Sequence, residues 1–104
     1  MIFKYTVEKV LDGTQTQARC RIGRVRRYAC TRDMTYAVQT ASGRVCGAKI
    51  KIKRVREQLL GAMTEADAKA EGYPNLAAFQ QVWAQQYGHF DPCEDVWVID
   101  FSLV

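Results

Sequence analysis

The chain has 104 residues, of which 48% are hydrophobic and 25% charged, and a formal net charge of +4. That length builds one hydrophobic core and not two, so a single domain over residues 1–104 is expected. No apolar run reaches the ~18 residues that a membrane-spanning helix needs, and the opening MIFKYTVEKV lacks the apolar stretch of a secretory leader, which points to a cytoplasmic protein with no membrane partner.

The charge is unevenly placed. Residues 1–60 carry 14 Lys and Arg against 4 Asp and Glu, a net +10, whereas residues 61–104 carry 1 against 7, a net −6. A half this basic suits an anionic partner, nucleic acid being the commonest; the alternative is that the two halves neutralise each other within the fold. The four cysteines, Cys20, Cys30, Cys46 and Cys93, form no Cys-x-x-Cys pair, and His89 is the only histidine. No metal site and no cofactor are therefore expected, and the cysteines read as reduced thiols of the core.

In chain order, Ile2–Tyr5 reads as a short strand and Thr6–Leu11 as a helical turn closed by Asp12-Gly13. Thr16, Ala18, Cys20 and Ile22 then alternate with Gln17, Arg19 and Arg21, the pattern of a strand with one wet face. Arg24, Arg26 and Arg27 follow the break at Gly23. With Arg19 and Arg21 they make five arginines in nine residues, which read as phosphate contacts or, more plainly, as a solvated loop. Residues 35–40 suit a strand and Ala41-Ser42-Gly43 a hairpin turn. In the next strand, Arg44–Lys53, Ala48, Ile50 and Ile52 alternate with Lys49, Lys51 and Lys53. Those lysines stand roughly 6.6 Å apart, a spacing that can track a nucleic-acid backbone. Lysines on an outer face also discourage edge pairing, so that reading stays beside it. Arg54–Gly61 reads as a connector.

Met63–Trp83, MTEADAKAEGYPNLAAFQQVW, reads as two helices and a hinge. Thr64 and Asp67 form a capping-box-like pair, Gly72 stops the first helix in the left-handed conformation with Tyr73 as its hydrophobic lid, and Asn75 caps the second. Leu76, Phe79, Trp83 and Tyr87 fall on one helical face. After the polar loop GHFDPCED, in which His89 is a loop residue, VWVIDFSLV reads as a core strand. Trp97, Ile99, Phe101 and Leu103 share one of its faces. Trp97 is read as core, with base stacking as the other role.

The acidic helix, the Glu-Gly-aromatic hinge, the aromatic helix and the later DVWVIDF together resemble the ASCH domain family of the PUA-like superfamily, in its small stand-alone bacterial or phage type. VEKVLDG followed by a Thr-Gln-rich strand fits as well, so the resemblance covers most of the chain. It implies an α+β fold: a small PUA-like β-barrel of about 5–6 mixed strands with two to three flanking helices. It also implies a cleft between barrel and helices that accepts RNA or a nucleotide-like ligand.

Some ASCH proteins look like amidohydrolases for N4-acylated cytidines, using a Lys and a Thr from Gly-x-Lys-Thr-x-Thr and a Glu from the hinge. Here the stretch is Gly13-Thr14-Gln15-Thr16-Gln17-Ala18. Gln15 stands where the Lys is needed and Ala18 where the second Thr is needed; only Glu71 fits, as the candidate catalytic residue. Glutamine takes up no proton near neutral pH, so a non-catalytic RNA- or nucleotide-binding module is expected. Its ligand contacts would be Gln15, Thr16, Gln17, Arg19, Arg21 and Glu71, and its phosphate contacts Arg24, Arg26, Arg27, Lys49, Lys51 and Lys53. Glu71 has a second reading, a structural salt bridge to Arg19 or Arg21. Other functions stay open: the amidohydrolase, a ribonuclease, a DNA rather than RNA partner, and a phage-encoded module that binds a protein.

Overall fold

The computed structural model describes residues 1, 3, 6–22, 33–40 and 42–104. The expected strand over 2–5 falls partly, and the Arg24, Arg26 and Arg27 cluster wholly, outside them. Helix α1 (Val7–Leu11) leads into β1 (Gln17–Arg21). Strands β2 (Thr35–Gln39) and β3 (Val45–Leu59) follow, then a 3-10 turn at Leu60–Ala62, helices α2 (Glu65–Ala70) and α3 (Leu76–Tyr87), and β4 (Asp95–Leu103). Among the described residues no helix is long and apolar enough to cross a membrane.

The strands form one curled antiparallel sheet in the order β1-β4-β3-β2. This is the expected α+β fold, but where a small barrel of about five to six mixed strands was expected the described residues form a half-barrel of four strands, all paired antiparallel. At the β2 edge Phe3 N–H donates to Gln39 O (3.0 Å), and Gln39 N–H to Met1 O (2.8 Å).

The terminal strand is central, as its apolar sequence demands, and it is covered on both faces. Trp97, Ile99 and Phe101 pack with Phe3, Val10, Val38, Ile50 and Ile52. On its opposite face Val96 and Val98 pack with Leu60, Met63, Ala68, Phe79 and Trp83. Burial of each such large apolar side chain stabilises the fold by about 1.5–3 kcal/mol, so β4 joins the two cores energetically as well as in space. Leu103, expected in the core face, is 40% exposed, because the strand there runs out beyond its cover.

Arg54–Gly61 is not a connector. Strand β3 continues to Leu59 and pairs with β4 along its whole second half, Arg54 opposite Asp100 and Leu59 opposite Asp95. The register shifts between Ile52 and Arg54, so Lys53 is an extra residue. Such a bulge reverses which residues face inward. Ile50 and Ile52 are buried before it, and Val55, not Arg54, turns inward after it.

The helix pair forms as its punctuation predicts. Thr64 Oγ1 accepts from Asp67 N–H (3.2 Å), and Asp67 Oδ2 accepts from Thr64 N–H (3.0 Å), a complete capping box. At the other end Tyr73 N–H donates to Ala68 O and Gly72 N–H to Lys69 O, both at 3.0 Å, the Schellman closure. Asn75 Oδ1 accepts from Ala78 N–H (2.8 Å) to start α3, and Glu65 Oε2 takes the exposed Leu76 N–H (2.9 Å), tying the two helices together.

Candidate nucleotide site

The site grows from the segment between α1 and β1. Gln15 N–H donates to Lys9 O (3.0 Å), Thr16 N–H to Ala70 O (2.9 Å), and Phe101 N–H to Thr16 O (2.9 Å). Three main-chain bonds thus lock the start of β1 against α1, the end of α2 and β4. Register does the rest. Arg19 lies opposite Val98, on the face covered by the helices, while Ala18 and Cys20 turn toward the other core.

The polar face of β1 is therefore dry at Gln17 and Arg19 and wet only at Arg21, where the strand ends. Gln17 and Arg19 are buried, because α2 and α3 close over them. Arg19 has a fully buried side chain and four partners. Its Nη1 donates to Gln17 Oε1 and to Glu71 Oε1 (3.0 Å), and its Nη2 to Gln58 Oε1 (2.6 Å), with Asp67 Oδ2 3.7 Å away. Glu71, the C-cap of α2, is held there by its N–H bond to Asp67 O (2.9 Å). The salt-bridge reading of Glu71 is thus realised, with Arg19 as the partner. Arg21 instead binds Glu94 Oε2 (2.7 Å) and lies 5.6 Å from the Tyr87 ring centroid.

Burial pushes the Glu71 carboxyl up to about 8. Arg19 opposes this by charge and hydrogen bond, whereas the negative charges of Asp67 and Asp100 add to it. One cation facing two carboxylates within 4 Å leaves a surplus negative charge in a desolvated place, and a proton removes it. Asp100 goes the other way. Burial raises its carboxyl, but hydrogen bonds from Gln17 and Arg54 and the charge of Arg56 hold it below the ordinary aspartate range.

Beside this cluster lies a cavity of about 400 Å³. Its lining includes Met1, Phe3 and Gln39 from the β2 side, Gln15, Ala18, Arg19, Cys20 and Ile99 from around β1, and Glu71, Tyr73, Phe79, Val82, Trp83 and Tyr87 from the helices. Among the described residues the cavity thus lies between the two outer strands of the curled sheet, β1 and β2. The aromatic residues follow one another: ring centroids are 5.5 Å apart for Tyr73–Phe79, 5.7 Å for Phe79–Trp83 and 4.5 Å for Trp83–Tyr87.

Of the expected ligand residues, Gln15, Arg19 and Glu71 reach this cavity, and Thr16, Gln17 and Arg21 do not. Thr16 is exposed and serves through its main chain. The amide of Gln17 is taken at both ends, by Asp100 Oδ1 (3.0 Å) and Arg19, so it has no free edge for a base. Lys49, Lys51 and Lys53 are exposed along β3, and none lines the cavity. Gln58, Asp67 and Asp100 were missed because their roles arise from pairing distant segments. Asp100 alone carried a signal, a carboxylate inside an otherwise apolar strand. Among the described residues no cluster of His, Cys, Asp or Glu is placed to hold a metal.

Gly72 keeps the hinge compact at φ +91°. A Cβ there would stand 3.2 Å from Lys9 Cβ and 3.3 Å from Gln15 Oε1. Gly72→Ala is expected to cost about 1–2 kcal/mol from the left-handed backbone alone, with the crowding against Lys9 and Gln15 added. Urea denaturation measures it, and a neutral result would show that the hinge relaxes freely.

The class to which this architecture corresponds is the ASCH-type fold: a curled antiparallel half-barrel, a helix pair laid on it and a cleft between. Two solved structures make the likeness concrete. An ASCH domain from Lactobacillus crispatus superposes with a TM-score of 0.74 and 15% identity, covering 93% of this chain and 69% of that one. A protein from Enterococcus faecalis assigned to DUF984 gives 0.71 and 16%, covering 94% and 69%. No family model matches the sequence, and no curated protein matches it. At these identities the fold is what is shared.

Proposed function

We propose that the chain is a single-domain, non-catalytic RNA- or nucleotide-binding module of the ASCH/PUA-like type, whose cavity receives a base. The observation that carries this reading is the lining itself: Glu71 sits in a cavity whose helical wall is Tyr73, Phe79, Trp83 and Tyr87. Aromatic side chains can take a base by stacking, worth about 1–3 kcal/mol per base, and a carboxyl can hydrogen-bond a base edge. A volume of about 400 Å³ is within the range of small-ligand sites. The ASCH-type fold adds weight by analogy. The exposed row Lys49, Lys51 and Lys53, with Arg24, Arg26 and Arg27, would meet the phosphates of a longer strand. The Gln15 amide and the Ala18 methyl in the lining supply neither a base nor a hydroxyl, which supports binding without turnover.

Fluorescence anisotropy with a short labelled single-stranded RNA tests this. Three phosphate contacts on a single strand, those of the lysine row alone, predict about a twentyfold loss of affinity between roughly 50 and 200 mM salt. Binding that ignores salt would remove the phosphate contacts from the account, and absence of binding at low salt would overturn the function. Release of acetate from N4-acetylcytidine, or cleavage of the RNA, would overturn its non-catalytic part.

A further inference from the structure

We infer that Arg54 and Arg56 form a phosphate site outside the cavity, positioned by Asp100, and that its occupant is the backbone of an RNA strand. The inference rests on the nucleic-acid reading above for its occupant, and it extends that reading to residues that neither the cavity nor the lysine row includes.

The bulge in β3 builds the site. Residues opposite one another on paired strands share a face. Lys51 lies opposite Ser102, Arg54 opposite Asp100 and Arg56 opposite Val98, so all three share the face on which Val98 meets the helices. Lys49, opposite Ala37 and two residues before Lys51, joins them. In a regular strand Lys53 would stand opposite Asp100, and Arg54 would turn toward Ile99 and its core. The extra residue at Lys53 re-aims both arginines onto the face of Lys49 and Lys51. The helices do not cover that part of the sheet, since the Arg54 side chain is 63% exposed.

Asp100 fixes the pair. Its Oδ2 accepts from Arg54 Nε (3.0 Å) and lies 3.6 Å from Arg56 Nε. Its Oδ1 accepts from Gln17 Nε2 (3.0 Å), and Gln17 Oε1 in turn accepts from the buried Arg19. The carboxylate is thus anchored from the buried side and turned toward the arginines. Both arginines meet it through Nε, so the terminal nitrogens of each fork stay uncommitted among the described residues. Arg56 Nε is itself buried without a hydrogen-bond partner. Among the cross-strand partners of Lys49, Lys51, Arg54 and Arg56, Asp100 is the only acidic residue. Positive charge in excess, presented as two planar forks, matches the geometry of a phosphate. Thr35 and Ser102, on either side of Lys51, add hydroxyl donors. The hydrogen-bonded chain Asp100–Gln17–Arg19–Glu71 ends in the cavity lining. A phosphate site and the proposed base site at the two ends of one such chain suit a single RNA strand better than an acidic peptide.

Fluorescence anisotropy with labelled single-stranded RNA, on the native full chain, Arg54→Gln and Arg54→Lys, tests the site. Arg54→Gln is expected to weaken binding about tenfold and to lower the slope of log affinity against log salt by about 0.7. Arg54→Lys is expected to keep the slope and lose part of the affinity, because an ammonium is not a fork. Equal binding by the native chain and Arg54→Gln would overturn the site while leaving RNA binding intact. A lysine variant as tight as the native chain would overturn the fork. Inorganic phosphate, titrated while the Nε–H resonances of Arg54 and Arg56 are followed by NMR, reads the site without any substitution. Both resonances are expected to shift with one common midpoint in the native chain and with separate midpoints in Asp100→Asn. No shift would overturn the site, and a common midpoint in Asp100→Asn would overturn the positioning role. Shifts with phosphate in a native chain that binds no RNA would overturn the occupant together with the proposed function. Polyglutamate that binds tighter than RNA would overturn the occupant in favour of an acidic protein.

Discussion

Replacing Arg19 with methionine is expected to destabilise the fold by about 3–5 kcal/mol above about pH 8, where Glu71 is ionised, the cost of removing one member of a buried ion pair. Methionine keeps much of the aliphatic stem, so the loss is chiefly electrostatic and polar. The change leaves Glu71 Oε1, Gln17 Oε1 and Gln58 Oε1 without their shared donor in a region that α2 and α3 seal from water. Lysine at the same position is expected to recover only part of the loss, because an ammonium lacks the planar fork that serves three acceptors from fixed directions. The double variant Arg19→Met with Glu71→Gln is expected to be more stable than Arg19→Met alone, since it no longer buries an uncompensated carboxyl. Urea denaturation of the native chain, Arg19→Met, Glu71→Gln and the double variant closes the cycle. If the double variant were no more stable than the single, Glu71 would not depend on Arg19 as the geometry requires.

The second large effect is on pH dependence. With the Glu71 carboxyl up at about 8, the folded chain holds a proton that the unfolded chain has released, from the ordinary glutamate range upward. Its unfolding free energy therefore falls as pH rises through that window, by at most about 1.4 kcal/mol per pH unit from this one group. Above the window the slope from Glu71 vanishes. Asp100 acts with the opposite sign and in a separate range. Its depressed carboxyl adds stability above the ordinary aspartate range, and that stability is lost as pH falls through the depressed value. Maximum stability is thus expected on the acid side of neutrality. Glu71→Gln is expected to flatten the slope between roughly pH 5 and 8 and to leave the acid limb in place. Denaturant unfolding at stepped pH reads both limbs. A slope that survives the substitution would show that Glu71 is ionised in the fold.

Much of the helix pair was legible in the sequence because its signals are local. The Thr64–Asp67 box, the left-handed stop at Gly72, the Asn75 cap and the face of Phe79, Trp83 and Tyr87 each need only a few neighbouring residues. The sheet was legible where alternation persisted and illegible where a bulge reversed it, which is why the second half of β3 reads as a polar connector. The polar face of β1 misled for a different reason. Gln17 and Arg19 look like solvent-facing residues because burial is decided by α2 and α3, some fifty residues later in the chain. The site was half legible for the same cause. Glu71 and Gln15, which the resemblance to ASCH domains singles out, both line the cavity, but the four-way commitment of Arg19 depends on Gln58 and Asp67, which no local pattern links to it. The aromatic run of α3 was legible as a packing face, and only the folded chain shows that it also walls a cavity.

The account turns on a single carboxyl group, held by Arg19 through one oxygen, in the lining of the cavity. The carboxyl carbon resonance of Glu71, followed by NMR from acid to alkaline pH with and without the best-bound ribonucleoside, tests this most directly. The account predicts a midpoint near 8 for the free protein and a displaced midpoint when the nucleoside is bound, with the resonance of Asp100 unmoved by the ligand. A midpoint in the ordinary glutamate range, or a titration that saturating nucleoside leaves unchanged, would contradict it.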